Sequence, residues 1–163
     1  MRNSDEEFIR EALEEAEAGL LAGDVPIGAL VVREGTVLAR AHWSWERDRD
    51  LLAHPELVVL RGVDARGGTL YTTLEPCVMC MGAAMSSFLR RVVYSLDSPT
   101  DGAAGVPSLY RERLPALGQP WSVPEVVGDV CRAATLQLVE RFLETARPGP
   151  IRDWAGTLVD SGR

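Results

Sequence analysis

The sequence predicts a three-layer α/β/α sandwich around a mixed five-stranded sheet. Segments with strand character alternate with segments of helical periodicity along the 163 residues, a pattern typical of a sheet covered by helices on both faces. The first two strand segments are joined by the short turn Glu34-Gly35, so they form an antiparallel hairpin and the sheet is not wholly parallel. The length suits one domain with its own hydrophobic core.

Each element follows from a local pattern. Ser4 and Glu7 form a capping box at the start of the first helix, and Gly23 ends that helix. Residues 42–53 and 97–124 are predicted as loops, the second with one helical turn at most, because it is rich in Pro, Gly and Ser. Strands are predicted at 27–33, 36–41, 69–74, 91–96 and 125–127, and further helices at 54–63, 77–88 and 130–146.

One domain is expected over residues 1–150, followed by a C-terminal tail at 151–163. The stretch from Arg147 onward opens with Pro148-Gly149-Pro150 and is predicted to be irregular. Cys131 is expected to be a buried apolar residue of the last helix.

The composition disfavours nucleic-acid-binding, membrane and secreted proteins. The formal charge of −7 and the absence of lysine disfavour a large nucleic acid partner without excluding a local arginine cluster. No apolar run is long enough to span a bilayer, and the acidic start lacks the apolar segment of a secretory signal. Three cysteines do not make a disulfide framework, so we expect a cytoplasmic protein without membrane contact.

Two short segments carry metal-binding chemistry. His54 lies at the start of one predicted helix, and Cys77-Val78-Met79-Cys80 opens another. Cys77 and Cys80 are three residues apart and share one helical face at an N-terminus, where the helix dipole favours thiolates. One imidazole and two thiolates are ligands that Zn²⁺ prefers, and three protein ligands leave a fourth position open for water, as in catalytic sites.

Glu56 lies two residues after His54, close enough to exchange protons with a water at such a site. The backbone N–H groups at the start of the Cys77 helix could help to position that water. Taken singly, Cys-x-x-Cys is equally consistent with a redox pair, and His-x-Glu is common by chance. Together they match H-x-E…P-C-x-x-C, the signature of zinc-dependent nucleobase deaminases.

The wider sequence resembles one branch of those enzymes. The segment from Leu74 to Ala84 is similar to the zinc helix of bacterial tRNA-adenosine deaminases (TadA-type) and of guanine deaminases, as are Val25-Pro26-Ile27-Gly28-Ala29, Arg91-Val92-Val93-Tyr94 and Gly102-Ala103-Ala104-Gly105. The resemblance implies a five-stranded mixed sheet and a homodimer. It also implies zinc bound by His54, Cys77 and Cys80, proton transfer by Glu56, and a water held by the backbone N–H of Cys77.

Three departures from the family pattern concern the substrate. Pro55 replaces the usual alanine between the histidine and the glutamate, and proline has no N–H to offer a ring. The stretch Ala41-His42-Trp43-Ser44-Trp45-Glu46 lacks the family's substrate-binding asparagine. The usual Asp-Pro-Thr-Ala is replaced by Asp50-Leu51-Leu52-Ala53. These changes indicate a diverged paralogue.

Several residues are candidates for contact with a substrate ring. Trp43 and Trp45 either stack on the ring or pack in a loop or dimer interface. Trp154 either covers the site or anchors a surface. Pro76, next to Cys77, is a further candidate. Glu46, Asp48 or Asp50 either lies in a solvated loop or replaces the lost asparagine; His42 is predicted to be a polar strand-end residue.

These observations are consistent with three alternative functions. The first is hydrolytic deamination of an amino-substituted nucleobase, nucleoside or related heterocycle, a small molecule that suits an acidic chain. The second is adenosine deamination in tRNA, suggested by the zinc helix. The third is a non-catalytic zinc protein with a decayed site, against which Glu56 argues, because structural zinc needs no proton shuttle.

Overall fold

The computed structural model describes residues 4–117 and 121–161, without the side chains of residues 46 and 113–117. It contains a five-stranded sheet in the order β2-β1-β3-β4-β5. The elements are α1 (Asp5–Leu21), β1 (Gly28–Arg33), β2 (Thr36–His42), α2 (Trp45–Asp48), α3 (Pro55–Leu60), β3 (Thr69–Leu74), α4 (Val78–Ser86), β4 (Arg91–Leu96), α5 (Val106–Leu117), β5 (Glu125–Val127), α6 (Arg132–Thr145) and α7 (Pro150–Ser161).

The sheet is mixed, as the sequence predicts. Strand β1 pairs antiparallel with both β2 and β3, whereas β3, β4 and β5 run parallel. Strands β1, β3 and β4 are almost wholly buried, because helices cover both faces. The predicted bounds of β3, β4 and β5 agree with the structure.

Two core clusters define the helical layers. On one face, Leu30, Tyr71 and Val93 pack against Phe8 and Ile9 of α1. The opposite face packs against α3 and α4, in a cluster of Ala29, Val31, Val59, Leu70, Met81, Ala84, Met85 and Val92. Strand residues alternate between the two clusters, as the pleat requires, and the three-layer α/β/α prediction is confirmed.

The capping box at the start of α1 is confirmed. The Ser4 hydroxyl accepts the Glu7 N–H at 3.3 Å, and the Glu7 carboxylate accepts the Ser4 N–H at 2.8 Å. Gly23 has a φ of +90° just after the helix, the left-handed conformation that favours glycine at a helix end.

Two predictions of irregular chain are wrong. The segment 97–124 contains the 12-residue helix α5, and the tail forms the 12-residue helix α7. Pro150 is tolerated at the first position of α7, where no intrahelical N–H is needed. Ala155, Leu158 and Val159 then form an apolar stripe that is buried in a cluster with Val139 of α6.

Smaller differences concern helix ends. Cys131 is not a buried residue within α6 but its partly buried N-cap, with a φ of +58°. Helix α3 ends at Leu60, earlier than predicted, and a four-residue helix α2 interrupts the predicted loop at 42–53. Among the described helices, none combines the length and apolar character needed to cross a membrane.

Candidate functional site

The candidate ligands lie at the starts of two neighbouring helices. His54 is the N-cap of α3, and Pro55 fixes the first helical position behind it. Cys77 is the N-cap of α4, and Cys80 lies one turn further along the same helix. Both N-caps have extended backbone and make no side-chain capping hydrogen bond, so their side chains are available to each other.

The three side chains converge with spacings that suit a zinc ion. The Nδ1 atom of His54 lies 3.8 Å from the Cys77 Sγ and 3.5 Å from the Cys80 Sγ, and the two sulfurs are 3.5 Å apart. Tetrahedral zinc with ordinary Zn–S and Zn–N bond lengths separates such atoms by about 3.5–3.8 Å. The donor set and its spacing therefore fit a zinc ion without rearrangement.

The two thiols differ in acidity. The hydrogen bond between the two sulfurs, helped by His54, lowers the pKa of Cys77 to about 4. The same hydrogen bond and burial raise the pKa of Cys80. The hydrogen bond with Cys77 raises the pKa of His54. Metal binding requires both sulfurs as thiolates, so it releases the proton that the pair retains.

Glu56 is a buried carboxylate beside the candidate ligands. It is 3% exposed, and its Oε1 atom accepts the Thr72 hydroxyl at 2.9 Å. Its Oε2 atom lies 3.6 Å from the Cys80 Sγ. Burial raises the pKa of Glu56, which brings a carboxylate closer to the range in which it exchanges protons near neutral pH.

Glu75 organises the loop after β4. Its carboxylate accepts the backbone N–H groups of Ser98 and Ala104, each at 2.9 Å. Gly102 leaves room for this carboxylate, because a Cβ at that position would overlap it. The loop is also joined to the zinc helix by a bridge between Cys77 and Gly102. Glu75 therefore steadies a neighbouring loop.

A cavity of about 310 Å³ opens beside the candidate ligands. Ile27 and Leu74 contribute apolar side chains at the ends of β1 and β3, and Ile151 contributes another from α7. His54, Cys77 and Glu56 line the same space. A predominantly apolar cavity with a few converging polar groups is typical of small-molecule sites, which begin at about 300 Å³.

Trp43 and Trp154 form an aromatic wall of this cavity. The Trp43 ring centroid lies 4.7 Å from that of His54 and 6.3 Å from that of Trp154. The Trp154 indole N–H donates to Asp101 at 3.4 Å. The structure thus brings two of the three candidate tryptophans to the site.

The other substrate candidates lie elsewhere. Trp45 lines an adjacent cavity of about 530 Å³, where the Arg49 guanidinium lies 5.9 Å from its ring centroid. Pro76 is buried, and its carbonyl accepts the Ala103 N–H at 2.9 Å. The Glu46 side chain is outside the described part of the structure. The contacts of these residues with a substrate remain predictions.

Asp48 and Asp50 of the charged loop make contacts within that loop. Asp48 accepts the Ser44 hydroxyl at 2.6 Å and binds Arg47, while Asp50 accepts the Leu52 N–H. Neither lines the cavity beside the ligands. His42, at the end of β2 as predicted, has its Nδ1 atom 3.4 Å from a Glu15 oxygen.

Sequence reasoning missed several lining residues. Ile27, Leu74 and Ile151 are apolar, and an apolar residue in a cavity has the same local pattern as one in the core. Asp101 also lines the cavity. Its one signal in the sequence is its position next to Gly102-Ala103-Ala104-Gly105, which resembles the deaminase family.

Comparison with known proteins agrees with this geometry. The family model "Cytidine and deoxycytidylate deaminase zinc-binding region" matches residues 2–96. A tRNA-specific adenosine deaminase of Bacillus subtilis is 39% identical over 108 residues, which are 62% of this chain and 67% of that protein. Two further tRNA-specific adenosine deaminases, from Streptococcus pyogenes and Aquifex aeolicus, are matched over 64% and 72% of their own length.

Solved structures give the same picture. A tRNA deaminase of A-to-I editing at the wobble position superposes with a TM-score of 0.69 and 29% identity, over 81% of this chain and 98% of that one. A guanine deaminase from Nitrosomonas europaea has a TM-score of 0.69 at 21% identity, over 85% of each chain, and shows the common fold.

Proposed function

The chain belongs to the zinc-binding cytidine and deoxycytidylate deaminase family, and from that premise we propose which residues carry its chemistry and which ring they act on. As a member, it is a zinc-dependent hydrolytic deaminase. His54, Cys77 and Cys80 hold the metal, and Glu56 moves the protons. The convergence of these three donor atoms beside a buried carboxylate carries the proposal.

The reaction exchanges an amino group for oxygen. Zinc bound here supplies a water whose pKa is lowered from ~16 to ~7. Glu56 would accept the two protons of the attacking water in turn, passing the first to a ring nitrogen as the C–O bond forms and the second to the amino group as the C–N bond breaks and ammonia leaves. The backbone N–H of Cys77 stands at the start of α4, where such groups are free to hold the attacking oxygen.

The aromatic wall positions the ring. Trp43 and Trp154 provide flat surfaces on one side of the cavity, and Ile27 and Leu74 provide apolar contacts. Stacking on aromatic side chains suits a planar base without selecting one base over another. Pro55 offers no N–H next to His54, so ring selection depends on other cavity groups.

We propose a free nucleobase, nucleoside or related amino-heterocycle as the substrate. Pro150, Ile151 and Trp154 of α7 line the cavity, which leaves a compact space suited to a small molecule. The chain has a net charge of −7 and no lysine, whereas binding of many phosphates favours a basic surface.

Ammonia release from aminopurines, aminopyrimidines and aminopteridines, as bases and nucleosides, tests this proposal. Zinc-loaded protein should turn over at least one compound, and Glu56→Ala should abolish that turnover while retaining zinc. If no compound reacts, or if Glu56→Ala reacts as fast as the wild type, the proposal is wrong.

Adenosine in tRNA is the second candidate. The curated relatives support it more directly than they support a free ring, because those at 39%, 35% and 38% identity are tRNA-specific adenosine deaminases. An enzyme of this kind takes a base that is unstacked from its strand. Inosine formation in anticodon-arm RNA, together with a gel shift at low salt, tests this candidate. If the RNA shows no gel shift and no inosine is formed, tRNA is excluded as the substrate.

We also propose that the protein forms a homodimer. Val58 of α3 and Val78 of α4 expose 39% and 66% of their surface, and Leu51 and Leu52 are exposed just before α3. A second copy would remove this apolar surface from water. Light scattering should give twice the mass of one chain, and Val78→Glu should shift it toward the monomer; a monomeric wild type contradicts the proposal.

A further inference from the structure

Three carboxylates line the cavity, and two of them already have a role: Glu56 in the proposed proton transfer and Glu75 in holding the neighbouring loop. Glu56 accepts the Thr72 hydroxyl with one oxygen and faces the Cys80 sulfur with the other. Glu75 uses one oxygen for the Ser98 N–H and the other for the Ala104 N–H. Both carboxylates therefore serve purposes other than recognition of the distant edge of a substrate.

Asp101 is arranged differently. Its Oδ1 atom accepts three hydrogen bonds: from Ser98 Oγ at 2.5 Å, Thr100 Oγ1 at 3.2 Å and Trp154 Nε1 at 3.4 Å. Its Oδ2 atom has no donor among the residues that the structure describes. Three donors on one oxygen fix the orientation of the carboxylate and leave the second oxygen as an oriented acceptor.

The position of Asp101 makes that acceptor relevant to substrate binding. Asp101 lines the same cavity as His54 and Glu56, and it remains exposed at the entrance. The hydrogen bond to Trp154 ties it to the aromatic wall. A ring between that wall and the candidate metal ligands would therefore present its far edge, or a sugar attached to it, to this carboxylate.

We propose that Asp101 is a specificity-determining residue that selects substrates carrying a hydrogen-bond donor on the side away from the reacting amine. The inference rests on the proposed function and deepens it. The donor is either an exocyclic amino group of the ring or a hydroxyl of an attached sugar, because both present the same O–H or N–H chemistry to a carboxylate. A site built around such an acceptor discriminates strongly against analogues without the donor.

The position also compensates for what the chain lacks. Pro55 removes one backbone donor beside the metal site, and the segment after β2 contains no asparagine. Asp101 restores a polar contact to the ring from a different loop, one held in place by Glu75 through Ser98 and Ala104. In this chain the polar contact to the substrate thus comes from Asp101 in the loop after β4, instead of from an asparagine in the loop after β2.

Two matched pairs of probes test the proposal. Adenine and 2,6-diaminopurine differ by one exocyclic amino donor, and 2′,3′-dideoxyadenosine and adenosine differ by the sugar hydroxyls. Dissociation constants are measured by titration calorimetry on zinc-loaded Glu56→Gln protein, in which the probes are not consumed. In at least one pair, the donor-bearing member should bind about tenfold more tightly or better.

Substitution of Asp101 should remove that preference. Asp101→Asn is the sharper variant, because the three donors keep the amide oxygen at the Oδ1 position and place an NH₂ donor where Oδ2 was. The donor-bearing probe should then lose its tenfold advantage, while its partner probe changes by about twofold or less. Asp101→Ala should give the same loss without adding a donor.

Thr100→Val is the matched control. It removes one donor to Oδ1 and leaves Oδ2 untouched, so the preference should persist. The proposal is overturned if Asp101→Asn weakens both members of each pair equally, if the wild-type side chain shows no preference, or if none of the probes binds. The deaminase proposal is judged separately, by ammonia release from the wild-type enzyme, so the two failures are distinguishable.

Discussion

Tyr71 and Thr72 are consecutive residues of β3, yet their side chains enter two polar networks of opposite kind. On the α1 face, the Tyr71 hydroxyl donates to Asp5 at 2.8 Å, and the two carboxylate oxygens of Asp5 accept from Arg91 at 2.9 Å each. On the α3 and α4 face, the Thr72 hydroxyl donates to Glu56, which forms no ion pair with an arginine among the described side chains.

The Asp5 network serves the stability of the fold, whereas the Glu56 network serves the candidate site. The Arg91 hydrogen bonds lower the pKa of Asp5, so its charge is satisfied within the protein. Burial instead raises the pKa of Glu56, and the neighbouring imidazole and thiols present unused ligand atoms. Charges that the protein itself satisfies hold the fold together, whereas groups left incompletely satisfied are available to a metal and a substrate.

The largest effect is expected from Glu56→Gln. The amide keeps the shape of the side chain and can still accept the Thr72 hydroxyl, but it cannot carry protons. We expect kcat to fall on the order of 10²–10⁴-fold while the thermal midpoint stays level or rises, because a buried carboxylate is removed. Kinetics and thermal melting of the zinc-loaded proteins check this; unchanged kcat contradicts it.

The second-largest effect is expected from Cys80→Ala, which should weaken zinc binding. The substitution removes one of the three metal ligands. Removing a residue that only hydrogen-bonds to a metal ligand already weakens metal binding about 10–100-fold, so we expect zinc affinity to fall at least about 100-fold. Zinc competition against a chromogenic chelator measures it, with Cys131→Ala as the control outside the site. Zinc affinity should also fall as the pH falls, because the pair of cysteines must lose the proton that it retains to bind zinc.

Trp154→Ala tests the aromatic wall. We expect KM to rise about tenfold with a smaller change in kcat, because the ring loses a stacking surface worth ~1–3 kcal/mol. Trp154→Phe should restore most of the affinity, and Trp45→Ala, outside the cavity, should leave KM unchanged. Equal rises in KM for Trp45→Ala and Trp154→Ala would show that the wall does not bind the ring.

Asp5→Asn should give the smallest effect, and only on stability. We expect a loss of about 1 kcal/mol at neutral pH, discounted because the pair is partly exposed, with kcat unchanged. The folded pKa of Asp5 lies below its ordinary value of 3.8, so the stabilisation is present above that value and is lost as the pH falls through the folded pKa. Urea unfolding should therefore show a smaller difference in stability between wild type and Asp5→Asn at pH 3 than at pH 7.

The sequence predicts the metal-binding part of the site better than the part that surrounds a substrate. His54, Glu56, Cys77 and Cys80 carry chemistry and spacing that few other patterns share, and the structure brings them together. Asp101 and Ile27 reach the cavity through tertiary packing, and neither residue carries a motif that assigns it to a binding site.

The fold likewise has parts that the sequence predicts well and parts that it does not. Strands β3 and β4 are predicted to the residue, because each is a compact apolar run bounded by turn residues. Helix α7 is not predicted, although Trp154, Ala155, Leu158 and Val159 follow helical spacing, because Pro148-Gly149-Pro150 is typical of irregular chain. Pro150 instead occupies the first helical position, where proline is favoured.

X-ray absorption at the zinc edge of the loaded protein tests the central claim most directly. The account predicts two sulfur neighbours at about 2.3 Å and two nitrogen or oxygen neighbours at about 2.0 Å, one of them from the exchangeable water position. A first shell of four protein ligands, or one lacking either sulfur, would contradict an open site formed by His54, Cys77 and Cys80.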